Sequence, residues 1–183
     1  MQFHPDTQQI RVASALGPVR LAASPVGLCG LWFEGQRHEP ATLNGAGAWP
    51  MARAGSPVLN AAAAQLVEWL AGKRHDFDLP LDLSGGTPFQ QAVWRALLGI
   101  AWGQTRSYGE VARIAGAPAA VRAVGAAVGR NPLSLVVPCH RVLGANGALT
   151  GYAGGLERKR ALLAMESAAP GALHPPAHLR LAA

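Results

Sequence analysis

The sequence predicts an α+β fold, in which strands dominate the first half of the chain and helices dominate the second. Two observations predict this division. Short apolar and β-branched runs separated by Gly-Pro and Ser-Pro turns occupy the start of the chain. Beyond residue 85, apolar residues recur at helical spacing behind residues that commonly cap helices. We therefore expect an N-terminal domain over 1–84, a C-terminal domain over 85–169 and a mobile tail over 170–183.

The first block contains three strand-like segments, at 10–16, 19–24 and 27–34, and the turns between them are typical of an antiparallel meander. Cys29 lies in the third segment, where we expect a small buried apolar residue rather than a ligand. A loop over 35–55 follows. Ser56-Pro57 then predicts a helix that ends before Gly72. Its predicted apolar face consists of Leu59, Ala63, Leu66, Val67 and Leu70.

The second block begins with a helix capped by Thr87-Pro88. Ser107 and Glu110 then form the pattern of a capping box, which predicts a short helix that ends at Gly116. Pro118 predicts the start of the next helix, which ends near Gly129. Two short helices joined by a turn of about three residues match a helix-turn-helix motif.

The second helix of this pair carries one long side chain, Arg122, among Ala, Val and Gly. A helix that reads bases in the major groove normally carries several long polar side chains. The small side chains are compatible with two interpretations: a helix whose backbone approaches its target closely, or a helix buried in the core.

Charge is distributed unevenly along the chain. Residues 1–84 contain six Lys/Arg and seven Asp/Glu, whereas residues 85–183 contain ten Lys/Arg and three Asp/Glu. The whole net charge of +6 therefore comes from the second block. A one-sided basic surplus favours a polyanionic partner, nucleic acid first. A basic surface without such a partner is the alternative.

Several classes of protein are excluded by what the sequence lacks. The N-terminus has no apolar segment of the kind found in secretion signals, and no apolar run is long enough to span a membrane. Two cysteines cannot supply a disulfide framework, so we expect a reducing, cytoplasmic location. Because no HExxH, CxxC, GxxxxGK[ST] or GxGxxG motif occurs, we expect no metal and no cofactor.

The segment LVVPCHRVLG, residues 135–144, carries the chemistry. A strand-like run over 135–137 leads to Cys139. A histidine and arginines nearby would favour the thiolate form of this cysteine. His140 could reach the sulfur directly or through one water. A carboxylate behind His140 would complete a Cys–His–acid arrangement, and Glu166 is left by elimination among the three acids of this block. The alternative is that the Cys-His pair is purely structural.

Turn-forming pairs frame this segment on both sides. Asn131-Pro132 precedes it, and Asn146-Gly147 follows it as a predicted hairpin turn. The run LERKRALLAME, 156–166, then predicts a final helix.

Residues 122–166 resemble the signature region of the O6-alkylguanine-DNA alkyltransferases. The Asn-Pro turn, the Pro-Cys-His-Arg-Val segment, the Gly-Tyr-Ala-Gly-Gly loop and the closing Glu occur in that order, and the similarity extends upstream to residue 87. The resemblance implies a ribonuclease H-like N-terminal domain, with an antiparallel sheet and a helix. It also implies a C-terminal helical winged helix-turn-helix domain.

The resemblance implies a role for each matching residue. Cys139 is the alkyl acceptor, His140 relays the thiol proton through a water, and Glu166 supports His140. Tyr108 protonates or polarises the departing guanine, and Arg122 fills the gap left by the extruded nucleotide. The remaining residues implied in DNA or substrate binding are Asn131, Arg141, Tyr152, Ala153 and Gly154.

The expected function is DNA repair by a monomer that flips O6-alkylguanine, and also O4-alkylthymine, out of double-stranded DNA. It would transfer the alkyl group once and irreversibly to its own cysteine, with no membrane and no obligate protein partner. Two alternatives are a non-catalytic protein that binds alkyl lesions and a thiol hydrolase for small molecules. The zinc ligands of some family members have no counterpart here, since Cys29 is the only other cysteine.

Overall fold

Three antiparallel strands form the N-terminal sheet in the computed structural model, which describes residues 1–52 and 56–167. They are β1 (Gln8–Val12), β2 (Val19–Ala23) and β3 (Leu28–Phe33), in the order β1-β2-β3. The predicted meander is thus confirmed, although β1 ends at Val12, before the predicted limit. Cys29 is buried within β3, as predicted.

The first helix, α1 (Pro57–Leu70), begins where Ser56-Pro57 predicts it. Its buried residues are Leu59, Ala62, Leu66 and Trp69, spaced three or four apart. The predicted apolar face is therefore displaced. Val67 is 58% exposed, because it lies about 100° around the helix from Leu66, and Trp69 takes the buried position.

Capping boxes fix the next two helices. In α2 (Pro88–Leu98), Thr87 accepts from the backbone of Gln90, whose side chain accepts from the Thr87 backbone in return. The short strand β4 (Arg106–Ser107) leads into α3 (Tyr108–Ile114), which has the predicted reciprocal contacts between Ser107 and Glu110. Each box satisfies two backbone N–H groups that a helix start leaves open.

The second helix of the pair, α4 (Val121–Gly129), begins three residues after the predicted start at Pro118. Residues 117–120 instead form a turn closed by the Ala120 N–H on the Ala117 carbonyl, so six residues separate α3 and α4. Val124, Ala127 and Val128 are buried, whereas Arg122 is exposed. The helix therefore has one face in the core and another open to solvent.

The apolar run before Cys139 is not a strand, contrary to the prediction. The Val137 N–H donates to the Leu133 carbonyl and the Val136 N–H to the Ser134 carbonyl, so the run folds on itself in successive turns. Leu135 has a φ of +70°, which no strand allows. Local turns satisfy the backbone of a buried apolar run as well as a ladder does, and periodicity cannot tell the two apart.

After Cys139–Arg141, a single 3-10 turn, β5 (Val142–Leu143) pairs in parallel with β4. The Asn146-Gly147 pair forms a turn, in which Gly147 has a φ of +77° that favours glycine. The predicted hairpin does not form, because within the described residues no strand follows this turn. The chain then enters α5 (Leu156–Ser167), the predicted final helix.

The N-terminal sheet contacts the segment that leads to Cys139. The Leu31 N–H of β3 donates to the Pro132 carbonyl at 2.8 Å, and the Ser134 N–H donates back to the Leu31 carbonyl at 3.0 Å. One buried apolar cluster runs from Leu21 in the sheet to Leu162 in α5. The N-terminal half therefore packs against the site.

The α+β fold class is confirmed, with the sheet first and the helices second. The predicted domain limits at 84/85 and 169/170 stay predictions, and the predicted mobile tail lies outside the described residues. Within 1–52 and 56–167, no helix combines the length and apolarity that crossing a membrane requires.

Candidate active site

Cys139 lies on the 3-10 turn and is 4% exposed. Its sulfur accepts a hydrogen bond from Nδ2 of Asn131 at 3.1 Å. The same Nδ2 donates to the Val137 carbonyl at 2.8 Å, and Oδ1 of Asn131 accepts from the Leu133 N–H at 2.9 Å. One buried amide thus closes the turns before the cysteine and contacts the thiol as well.

Burial raises the pKa of the Cys139 thiol above its usual value, and the hydrogen bond from Asn131 and the charge of Lys159 only partly oppose this effect. Cys139 is therefore a neutral thiol at rest near neutral pH. Since the thiolate is the strong nucleophile, chemistry at this sulfur requires a base that accepts the proton.

His140 is fully buried, and its Nε2 lies 2.8 Å from Oε1 of Glu166. The rings of Trp69 and Tyr152 meet the imidazole edge-on, at centroid distances of 6.0 and 6.5 Å. Burial lowers the pKa of His140, although the hydrogen bond and charge of Glu166 oppose this. The imidazole is therefore neutral at physiological pH.

Glu166 is 1% exposed at the end of α5. Burial alone would raise its pKa, but the hydrogen bonds and charges of His140 and Arg141 outweigh burial and lower the pKa to about 2. An ionised carboxylate only accepts hydrogen bonds, so Nε2 of His140 carries the proton. Nδ1 then holds the basic lone pair, and it is buried without a hydrogen-bond partner among the described residues.

Arg141 differs from its predicted place among the DNA- or substrate-binding residues. It is 5% exposed, and its Nε and Nη2 donate to the carboxylate of Glu166 at 2.8–3.0 Å. Its Nη1 also donates to the Ile100 carbonyl at 2.6 Å. A buried guanidinium committed in this way is not available to a phosphate or a base, because leaving a buried carboxylate unpaired is costly.

The loop 151–155, between β5 and α5, contains Tyr152, Ala153 and Gly154. The Tyr108 hydroxyl, from the start of α3, donates to the Gly151 carbonyl at 3.4 Å. A Cβ on Gly154 would lie 2.7 Å from the Tyr152 ring and 3.3 Å from that of Phe33, so any larger residue there would displace the Tyr152 ring. The carbonyl of Ala153 accepts from the Arg37 N–H at 3.0 Å, which ties the loop to the N-terminal half.

Lys159 is a buried residue of the site that no sequence motif indicated. It is fully buried in α5, and its Nζ donates to the carbonyls of Val142 and Thr150 at 2.6 Å and of Gly151 at 3.4 Å. It joins β5 to the loop. Its spacing was informative, since Lys159, Leu162 and Glu166 lie three and four residues apart and share the buried face of α5.

The structure thus brings most predicted residues into one buried cluster around the thiol. Arg122 is outside it, on the exposed face of α4. In the described part of the chain, no group of three or more His, Cys, Asp or Glu side chains is arranged to hold a metal ion. Chemically, the cluster offers a buried thiol, a neutral imidazole whose Nδ1 no described residue contacts by a hydrogen bond, and an ionised carboxylate at Nε2.

Two family models match the chain. Residues 11–83 match the ribonuclease-like domain of 6-O-methylguanine DNA methyltransferase, and residues 88–168 match its DNA-binding domain. The chain is 49% identical over 166 residues to a methylated-DNA–protein-cysteine methyltransferase of Mycobacterium tuberculosis, an alignment that covers 88% of this chain and 94% of that protein. A Mycolicibacterium paratuberculosis protein of the same name is 48% identical over 173 residues, covering 93% and 95%.

Solved structures agree with these matches. The O6-methylguanine methyltransferase of M. tuberculosis superposes with a TM-score of 0.78 at 46% identity, covering 90% of this chain and 96% of that one. The M. tuberculosis protein in complex with DNA gives a TM-score of 0.76 at 45% identity, with coverages of 88% and 92%. Since both family models and full-length relatives align across the sheet and the helices alike, this protein belongs to the 6-O-methylguanine DNA methyltransferase family.

Proposed function

We propose that the protein repairs DNA by moving the alkyl group of O6-alkylguanine onto the sulfur of its own Cys139. The proposal rests on one observation: Cys139, His140 and Glu166 are all buried, and Oε1 of Glu166 lies 2.8 Å from Nε2 of His140. Family membership supplies the reaction class.

In the proposed reaction, Nδ1 of His140 accepts the thiol proton through one bridging water. The sulfur attacks the alkyl carbon, the bond from that carbon to O6 breaks, and guanine leaves with its electron pair. Glu166 holds the Nε2–H and stabilises the imidazolium that forms. The hydroxyl of Tyr108, beside the loop 151–155, would donate to a guanine ring nitrogen as negative charge develops there.

The target base must first leave the helix stack, which costs a few kcal/mol. Arg122 is exposed in the first turn of α4 and would fill the gap in the duplex. The small side chains on the exposed part of α4 suit a narrow minor groove, where bases are hard to distinguish. The basic second half supplies affinity for phosphates without sequence preference, as damage at any position demands.

The product is a thioether, which offers water no easy leaving group. Each molecule would therefore react once. A reduced thiol is essential to this reaction, so we place the protein in the cytoplasm, where Cys29 and Cys139 stay free.

The test is exposure of the purified protein to duplex DNA that contains one O6-methylguanine, followed by mass spectrometry of its peptides. We expect one added methyl group on the Cys139 peptide at a one-to-one limit, and none on the Cys29 peptide. Cys139→Ser should still bind the duplex but gain no methyl group. An unmodified Cys139 peptide, with the lesion left in the DNA, would contradict alkyl transfer and favour the lesion-binding alternative.

A further inference from the structure

The guanidinium of Arg141 donates hydrogen bonds to both carboxylate oxygens of Glu166. Its Nε lies 3.0 Å from Oε1 and 2.9 Å from Oε2, and its Nη2 lies 2.8 Å from Oε1. Oε1 is also the atom that meets Nε2 of His140 at 2.8 Å. The guanidinium therefore contacts the very oxygen that holds the imidazole.

Both Arg141 and Glu166 also make hydrogen bonds to the backbone of the segment that follows α2. Nη1 of Arg141 donates to the Ile100 carbonyl at 2.6 Å, and the Gly103 N–H donates to Oε2 of Glu166 at 3.3 Å. The Trp102 ring lies 5.9 Å from the guanidinium carbon. The guanidinium and the carboxylate thus have little freedom to rotate.

We propose that Arg141 is a positioning residue for alkyl transfer, which fixes the carboxylate of Glu166 against Nε2 of His140. This inference rests on the proposed function. It also replaces the predicted DNA contact of Arg141, since the side chain is 5% exposed and its donors are occupied.

In the described part of the chain, the charged and titratable groups that face His140 come from α5, from its own 3-10 turn and from the loop 151–155. Glu166 and Lys159 come from α5, Cys139 and Arg141 from its own turn, and Tyr152 from the loop; Trp69 of α1 contributes an uncharged ring. Glu166 raises the pKa of His140, whereas Arg141 and Lys159 lower it. Without Arg141, its positive charge no longer offsets the effect of the Glu166 carboxylate on His140, so the pKa of His140 rises. More of the imidazole is then protonated near pH 7 and cannot accept the thiol proton.

The experiment compares Arg141→Met, which removes the positive charge, with Arg141→Lys, which keeps the charge but cannot make the bidentate hydrogen bonds to the carboxylate. Arg11→Met is the matched control, because Arg11 makes the same two-pronged contact with Glu34 on the exposed sheet surface. Three quantities are measured: the single-turnover methyl-transfer rate against pH at saturating protein, the affinity for unmodified duplex, and the ¹⁵N titration of the His140 ring by NMR.

For Arg141→Met we expect the rate at pH 7 to fall between about 10- and 100-fold. The acidic limb of the rate profile and the His140 titration should both move to higher pH, with DNA affinity unchanged. Arg141→Lys should also be slower, but with its acidic limb at the wild-type pH. Arg11→Met should behave as wild type in all three measurements.

A clearly lower affinity of Arg141→Met for unmodified duplex would overturn the proposal and restore the DNA-binding role. The proposal would also be overturned if Arg141→Met folds and is slower, but the acidic limb of its pH–rate profile stays at the wild-type pH. A contact with a merely structural role would slow the reaction in this way. If Arg141→Met does not fold, an unchanged rate in Arg141→Lys overturns the proposal. If wild type transfers no methyl group, the proposed function fails, and the NMR titration still decides whether Arg141 controls His140.

Discussion

Nδ2 of Asn131 lies 3.1 Å from the sulfur of Cys139, which is eight positions further along the chain. This hydrogen bond opposes the effect of burial on the pKa of the thiol. Asn131 therefore stabilises the ionised nucleophile as well as the turn that carries it.

Asn131→Asp keeps the shape of the side chain and its acceptor for the Leu133 N–H, but it replaces the Nδ2 donor, which serves both the sulfur and the Val137 carbonyl, with an oxygen. A hydrogen bond to a charged group contributes about 1.5–3 kcal/mol, so we expect the reaction of Cys139 with iodoacetamide to slow about tenfold or more. Cys29 is the internal control, since burial raises its pKa to about 12. An unchanged rate at Cys139 would show that Asn131 does not act on the sulfur.

Glu166→Gln should destabilise the protein by about 3–5 kcal/mol at neutral pH, because it leaves the buried Arg141 guanidinium without its counter-charge. Urea unfolding at pH 7 measures this. The pair of Glu157 and Arg160 is exposed on the same helix, and Glu157→Gln is expected to leave the free energy of unfolding nearly unchanged.

The stabilisation by Glu166 also depends on pH. Its pKa in the folded protein is about 2, below the 4.5 usual for glutamate, so the folded state favours the ionised form. The stabilisation is fully present above about pH 4.5 and is lost as the pH falls toward 2. The difference between wild type and Glu166→Gln should therefore shrink over that range; a difference independent of pH would be inconsistent with an ionised Glu166.

Lys159→Met removes the donor shared by the carbonyls of Val142, Thr150 and Gly151. Since the buried carbonyl of Val142 would lose its partner and those of Thr150 and Gly151 are only half-buried, we expect a loss of about 1–3 kcal/mol in urea unfolding at pH 7. Methyl transfer should slow as well, because the loop 151–155 loses its tie to β5. Arg160→Met, at the exposed neighbouring position, should change neither quantity.

Burial lowers the pKa of Lys159 from 10.5 to about 8, and the charge of Cys139 opposes this only in part. The unfolded chain then binds more protons than the folded protein between these values, so the folded state gains stability as the pH rises from about 8 to 10.5. Wild type should show this gain relative to Lys159→Met. Parallel curves for the two proteins would mean that Lys159 is solvated.

Gly154→Ala should impair the loop without removing any polar group. The added methyl would lie 2.7 Å from the Tyr152 ring, so the ring beside His140 must shift. We expect a slower methyl transfer and a lower melting temperature. Gly47→Ala is the control, since nothing lies within 4 Å of its added Cβ. A fully active Gly154→Ala would show that the loop tolerates a displaced Tyr152.

Much of the fold followed from local rules. Thr87 and Ser107 begin their helices through contacts within four residues, so the sequence window contains all the information. The turns over 133–137 did not follow from such rules, because the same apolar run suits a strand, and the bonds that decide between them include a contact of Asn131 with Val137. Val67 was misplaced because the helix turns the larger Trp69 toward the core.

The sequence by itself determined the family, because the order and spacing of its motif can be read without any knowledge of contacts. The same motif nominated Cys139, His140 and Glu166 as the proposed reacting groups. Only the tertiary structure decided what Arg141 and Lys159 do. Both look like surface cations in the sequence, since their charge argues for solvent. In the folded protein both are buried. Arg141 pairs with the carboxylate of Glu166, and Lys159 donates to three backbone carbonyls, so both stabilise the site from within.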